Sequence, residues 1–143
     1  MTAGDRLALA VVGAHLAGMP LNGELVARGA VLRERTASAP SYRLYHLAGV
    51  GPARPGLVRV ATGGSAIDLE VWDLPTREVG AFLRGVPAPL AIGTVLLASG
   101  EAVSGFVCEP IGLEGARDIT GYGGWRAYLA GIDPVGQRPA GTP

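Results

Sequence analysis

Twenty-three glycines and eleven prolines interrupt a chain of 143 residues. Glycine and proline are the strongest turn formers, so this density restricts the chain to short strands, brief helices and many turns. The length fits one domain of ordinary size. With 48% of residues apolar and 17% charged, a sizeable core can be filled, and the composition is not that of a disordered chain. Twelve basic and twelve acidic residues give a formal net charge of zero. That balance argues against nucleic-acid binding through a broad basic field. Every basic residue is arginine, which excludes Schiff-base catalysis, a P-loop lysine and a Ser-Lys amidase mechanism within the chain. The single cysteine, Cys108, excludes an internal disulfide and a Cys-rich zinc site. No His/Asp/Glu cluster has metal spacing, so no metal is expected, and no cofactor.

The apolar run Leu7 to Val12 behind Arg6 imitates a short signal-peptide core but falls far below the roughly 18 residues that span a bilayer. It reads as a first strand buried on both faces. A reduced cytoplasmic home without membrane association is expected by default. Gly13 to Pro20 reads as a tight loop, and Asn22 can cap a short helix over Glu24 to Arg28 that Gly29 ends. Ala30 to Arg35 reads as a strand. A third strand follows over Tyr42 to Leu47, with Tyr42, Leu44 and His46 on one face. Leu57 to Ala61 and Ala66 to Leu74 read as a hairpin around Gly63-Gly64. In its second strand Ile67, Leu69 and Val71 point one way, and Asp68, Glu70 and Trp72 the other. Pro75 suits the first turn of a helix with Val79, Phe82 and Leu83 as its apolar stripe and Gly85 at its end. Val86 to Leu90 is a rigid crossing segment. Thr94 to Ala98 and Ala102 to Cys108 form another hairpin, and Trp125 to Ala130 a short last helix.

Strands outnumber helices and the turns are glycine-rich. These features imply an α+β domain over residues 1–131, built on a mixed or antiparallel sheet curled into a small barrel, with a loose tail over 132–143. The strongest local feature runs from Val11 to Asn22. A buried strand enters a glycine turn and at once presents the imidazole of His15. Gly13 permits a backbone in which successive N–H groups face one concavity, a nest suited to a carboxylate. His15 beside it is a proton donor or acceptor, or else a structural histidine bonded to a carbonyl. The spacing of Gly13 and Gly18 is no dinucleotide fingerprint.

The segment GAHLAGMPLNGEL resembles the opening of the C-terminal domain of allophanate hydrolase. Further stretches resemble the same domain in order: APSYRLY from Ala39, RPGLVRV from Arg54, VWDLP from Val71 and VPAPLAIG from Val86. The last block is the most similar, from GFVCE at Gly105 through LEGARDI at Leu113 to GGWRAYL at Gly123. The resemblance covers about Leu7 to Leu129. It implies a fold of the gamma-glutamylcyclotransferase type, a small mixed barrel with flanking helices. In that wider family the amides of the first loop hold the substrate carboxylate, and Val12, Gly13, Ala14, His15 and Leu16 occupy that place. The cyclotransferases use a glutamate in a region comparable to Phe82 to Leu90, which here holds no carboxylate.

The resemblance further implies decarboxylation of N-carboxycarbamate in urea and allophanate nitrogen metabolism, a lyase step downstream of the amidase. His15 matches the histidine tied to that activity. Protonation of nitrogen as the C–N bond breaks would assist it, and an imidazolium can supply that proton. The substrate carries two carboxylates, so a guanidinium from Arg43 or Arg117 is expected beside the amides, unless each makes a surface ion pair. Asn22 and Tyr42 complete the candidate substrate contacts, Tyr42 with core packing as its other reading. His46, Trp72 and Trp125 read as packing residues, Cys108 as an inert buried hydrophobe, and Glu114 as a partner for Arg117 if that stretch is helical. The expected partners are a small dicarboxylate-like substrate and a separately encoded amidase, with a homodimer permitted. Two alternatives stand beside this reading: cyclotransferase activity on gamma-glutamyl amines, and a non-catalytic amidase partner.

Overall fold

The computed structural model describes residues 3–49 and 51–131, so the tail expected over 132–143 lies outside the described residues. Strand β1 (Arg6–Val11) is central, antiparallel to β5 (Asp68–Pro75) on one side and parallel to β7 (Ala102–Cys108) on the other. Its apolar run is buried from Leu9 to Val11, as expected for a strand covered on both faces. Strand β2 (Val31–Ala37) extends the sheet beyond β5, and β6 (Leu90–Leu96) extends it beyond β7, giving the order β2-β5-β1-β7-β6. The expected β6–β7 hairpin forms, with Thr94 opposite Ser104, but β6 starts at Leu90, at the end of the segment read as a crossing, and ends at Leu96.

The expected hairpin between Leu57 and Leu74 does not form. Strand β4 (Pro55–Arg59) instead pairs antiparallel with β3 (Tyr42–His46), and the short β8 (Arg117–Asp118) flanks β3, making a separate three-stranded sheet. The turn residues misled because local chemistry cannot say which of several nearby strands will be the partner. The fold is thus α+β with two sheets. Ser38 bridges Leu97 where the edges of the larger sheet approach each other, but among the described residues no continuous ladder runs round, and the expected barrel is not closed.

Helix α1 (Asn22–Ala27) buries Leu25 and stops as expected at Gly29, whose φ of 83° lets the Ala30 N–H reach the Leu25 carbonyl at 3.0 Å. Asn22 is not its cap; the residue before the helix is Leu21, and no side chain caps it. A single turn over Thr76–Glu78 leads into α2 (Val79–Arg84), which buries Phe82 but leaves Leu83 43% exposed. Helix α3 (Trp125–Gly131) buries Trp125 and Tyr128. The stretch Pro110–Leu113 is a tight turn and Arg117 sits on β8, so the helical pairing of Glu114 with Arg117 does not arise. Among the described residues no helix is long and apolar enough to cross a membrane.

The expected two-faced pattern of β5 is also corrected. Glu70 is 1% exposed and Trp72 6%, as deeply buried as the apolar face. The first loop and α3 cover that side: Glu70 accepts the Ala17 N–H at 2.8 Å and pairs with Arg126 at 3.0 Å. Alternation along a strand reports burial only when one face meets water.

Candidate functional site

A cavity of about 210 Å³ opens where the C-terminal end of β1 meets the second sheet. Its walls include Val12, Gly13, Ala14 and His15 from the first loop, Glu24 from α1, Arg54 and Pro55 at the entry to β4, Val86 and Pro87 after α2, and Phe106 of β7. Gly13 is needed here for a reason other than the one expected. Its φ is not positive; instead a Cβ at this position would overlap the ring of Pro55. The loop and the second sheet touch through a gap that admits only hydrogen. Gly105 acts similarly under β7, where a Cβ would lie 2.8 Å from that of Ala10. That close approach seats Phe106 beside the loop.

The His15 ring stacks on Phe106 with centroids 4.9 Å apart and planes at 20°, and meets Phe82 edge-on at 5.5 Å. Its Nε2 lies 2.9 Å from Oε1 of Glu24; the side chains are 12% and 51% exposed. An ionised carboxylate only accepts, so the neutral imidazole donates from Nε2 and keeps Nδ1 as its basic nitrogen. Burial pushes the His15 pKa below 6.5. The Glu24 hydrogen bond and charge pull it up, and the Arg54 guanidinium pushes it down. The ring is therefore neutral at neutral pH, yet sits beside a carboxylate that would stabilise its protonated form.

Around it the loop is ordered by its own hydrogen bonds. Leu16 N–H donates to the Gly13 carbonyl at 3.0 Å and Leu21 N–H to that of Ala14 at 2.8 Å. Asn22 Nδ2 donates to the His15 carbonyl at 2.9 Å. Among the described residues, the N–H groups of Ala14 and His15 have no hydrogen-bond partner. With Gly13 they form the loop's cavity wall.

The structure therefore gathers Gly13, Ala14 and His15, with Asn22 as a brace behind them, and leaves the other expected contacts elsewhere. Leu16 spends its amide inside the turn and buries its side chain in the core. Tyr42 is fully buried, its phenol oxygen accepting the Leu96 N–H at 2.9 Å, which is its packing reading. Arg43 reaches Asp118 through Nε at 2.9 Å and Nη2 at 2.6 Å and the Gly63 carbonyl through Nη1. Arg117 lies 5.7 Å over the Tyr128 ring. The guanidinium at the cavity is that of Arg54. It and Glu24 are the site residues that reading the sequence missed. A pairing across nine positions leaves no periodic trace, and Arg54, between Pro52 and Pro55, reads only as loop. Cys108 is buried at 8% exposure, and burial, then the Glu109 charge, raises its thiol pKa above the usual value. Among the described residues no group of three His, Cys, Asp or Glu side chains is placed to hold a metal ion.

The family model described as the allophanate hydrolase C-terminal domain matches residues 7–130. The chain belongs to the allophanate hydrolase C-terminal domain family. It is 47% identical over 125 residues to the urea amidolyase of Saccharomyces cerevisiae, covering 85% of this chain and 7% of that protein. The chain thus spans a small part of the curated relatives it matches. The Kluyveromyces lactis allophanate hydrolase structure superposes with a TM-score of 0.88 at 42% identity, over 93% of this chain and 23% of that one. A uropathogenic E. coli-specific protein superposes with a TM-score of 0.82 at 36% identity, over 91% of this chain and 98% of that one. An AIG2-like protein from Mus musculus shares the fold alone, at 18% identity and a TM-score of 0.54 over 76% of this chain and 83% of that one. This chain thus matches a small part of the larger relatives and nearly the whole of the E. coli protein's chain.

Proposed function

We propose that the first-loop cavity binds a small carboxylate substrate and that His15 supplies the proton for its decarboxylation, the substrate being N-carboxycarbamate from an amidase step in urea and allophanate breakdown. One observation carries this reading. A neutral imidazole, packed against two phenyl rings and held by a carboxylate, stands on the wall of a small cavity beside two open amides. The amides of Ala14 and His15 receive one substrate carboxylate, and the Arg54 guanidinium offsets the second charge. The incoming dianion raises the proton affinity of His15, which takes a proton on Nδ1 while Nε2–H remains on Glu24. When the C–N bond breaks, carbon dioxide leaves, the bonding electron pair stays on nitrogen, and the imidazolium returns its proton there to give carbamate. The apolar walls of Val12, Val86 and Phe106 lower the local dielectric, which favours loss of charge along this path.

The cyclotransferase reading is less well supported. The segment that would carry its glutamate meets the cavity as Gly85, Val86 and Pro87, and the carboxylate present, Glu24, comes from α1 and is engaged by His15. The deciding experiment is a thermal-shift titration with malonate, an unreactive dicarboxylate, on the protein and on His15→Ala. Stabilisation of the parent that the variant loses supports the carboxylate site, since a ligand bound only by the folded state raises Tm by mass action. No shift in either moves the weight to a non-catalytic amidase partner. Formation of 5-oxoproline from a gamma-glutamyl amine would revive the cyclotransferase.

A further inference from the structure

We propose that Glu70 and Arg126 form a clamp that sets the position of the histidine loop from behind, making both positioning residues for His15. This rests on the reading of the cavity given above. Glu70 is buried on the central strand β5, where an unpaired carboxylate would be strongly destabilising. It is instead fully engaged. Oε1 accepts the Ala17 N–H at 2.8 Å and the Trp72 indole N–H at 3.0 Å. Oε2 pairs with Arg126 at 3.0 Å and with Nε of Arg35 at 3.2 Å. Burial works to raise the Glu70 pKa, and these donors outweigh it, holding the group below the usual carboxylate range.

Arg126, from α3, also donates to the Ala17 carbonyl at 2.6 Å. Both backbone polar groups of Ala17, two residues beyond His15, are therefore tied to the same ion pair. Among the described residues, every other hydrogen bond of the loop from Gly13 to Leu21 stays within the loop or runs to the start of α1. Without the clamp, the loop and α1 would be an internally bonded unit held to the sheet by packing, including the close approach of Gly13 to Pro55. Hydrogen bonds are directional where apolar packing is not, so the clamp is what fixes the height of the Ala14 and His15 amides over the cavity. A buried ion pair retained where apolar packing would serve stability as well is accounted for by such a positional role.

Arg35 supplies the internal control. Like Arg126 it compensates the Glu70 charge, but its side chain is 66% exposed and no hydrogen bond from it to the loop is found. If the pair only neutralises Glu70, the two arginines are equivalent. If it positions the loop, they differ. Substituting Glu70 itself risks unfolding, so the test compares Arg126→Gln, Arg35→Gln and Arg126→Lys by hydrogen exchange at residues 16–19, by NMR titration of the His15 imidazole, and by malonate affinity. Arg126→Gln is expected to speed loop exchange about tenfold, move the His15 titration toward the value of a free imidazole and weaken malonate about tenfold. Arg35→Gln should leave all three within about twofold. Arg126→Lys, which keeps a donor for the Ala17 carbonyl, should recover most of the loss. Equal effects of the two Gln variants, or an unmoved His15 titration in Arg126→Gln, would overturn the proposal. If the parent binds no malonate the carboxylate site fails, while loop exchange and the imidazole titration still decide the clamp.

Discussion

The molecule holds two half-buried imidazoles in aromatic surroundings, and of the two it is His15 that lines the cavity described above. His15 stacks on Phe106 and meets Phe82, and His46 meets Trp125 at 5.3 Å and Tyr128 at 5.4 Å, both edge-on. Burial lowers the pKa of each, with a nearby arginine lowering it further: Arg54 for His15 and Arg117 for His46. The difference lies in the partner. His46 Nδ1 meets the Tyr128 hydroxyl at 2.6 Å, a hydroxyl where His15 has a carboxylate. His15 meets the Glu24 carboxylate and faces a void. Burial makes an imidazole neutral, but an ionised partner and space for a substrate are what allow it to cycle its proton. A depressed pKa would have marked both histidines alike.

The contrast can be broken by substitution. The largest effect is expected at His15→Ala. Loss of the proton-transferring group should lower turnover by about 10²–10⁴-fold, measured as carbon dioxide released when a separate amidase supplies the substrate, with the circular dichroism spectrum unchanged. His46→Phe should leave turnover within twofold of the parent (a small change by comparison) and appear only in Tm. Turnover lost equally in both variants would erase the distinction. Gly13→Ala comes next: its Cβ forces Pro55 away, so a destabilisation of about 1–3 kcal/mol in urea melts and a loss of malonate binding are expected together. Arg54→Gln should weaken malonate about tenfold, whereas Arg43→Gln, whose parent is committed to Asp118, should not; calorimetry separates them.

The smallest effect is in pH. The unfolded chain protonates each imidazole near pH 6.5, and the folded protein only at lower pH. The unfolded state then binds more protons in that interval, so stability falls as the pH drops from about 7 to 5. Replacing His46 by Phe should flatten part of this slope in Tm against pH, and replacing both histidines most of it. The carboxylates Glu70 and Asp118, both held below their ordinary range by their donors, although burial opposes this, add a loss that begins only at lower pH. A slope unchanged in the double variant would show that neither imidazole is held neutral.

Much of this architecture is legible along the chain. The buried run of β1, the Gly29 stop of α1, the β6–β7 hairpin and the last helix all rest on neighbours a few residues apart, where propensity and turn chemistry act directly. His15, with Gly13 and Ala14, also stood out, because a histidine straight after a buried strand and a glycine is a local pattern. The failures share a different cause. The intervening Gly-Gly makes a good turn and favours pairing β4 with β5, yet β3 is the strand that takes β4 as its antiparallel neighbour. Glu70 looked like the wet face of a strand until α3 and the loop were packed over it.

The guanidinium shows the division most sharply. Local chemistry makes Arg43 and Arg117 the candidates, since each is an arginine in a matched segment next to strand residues, while Arg54 reads only as loop. Which one meets the cavity depends on the β3–β8 pairing that brings Asp118 within reach of Arg43, and on the contact of Pro55 with Gly13 that brings β4, and Arg54 just before it, to the first loop. Element types and the candidate histidine follow from residues adjacent in the chain. The carboxylate that meets the imidazole and the arginine that holds the Ala17 carbonyl come from pairs separated by 9 and 109 positions, whose meeting is set by sheet order and close packing.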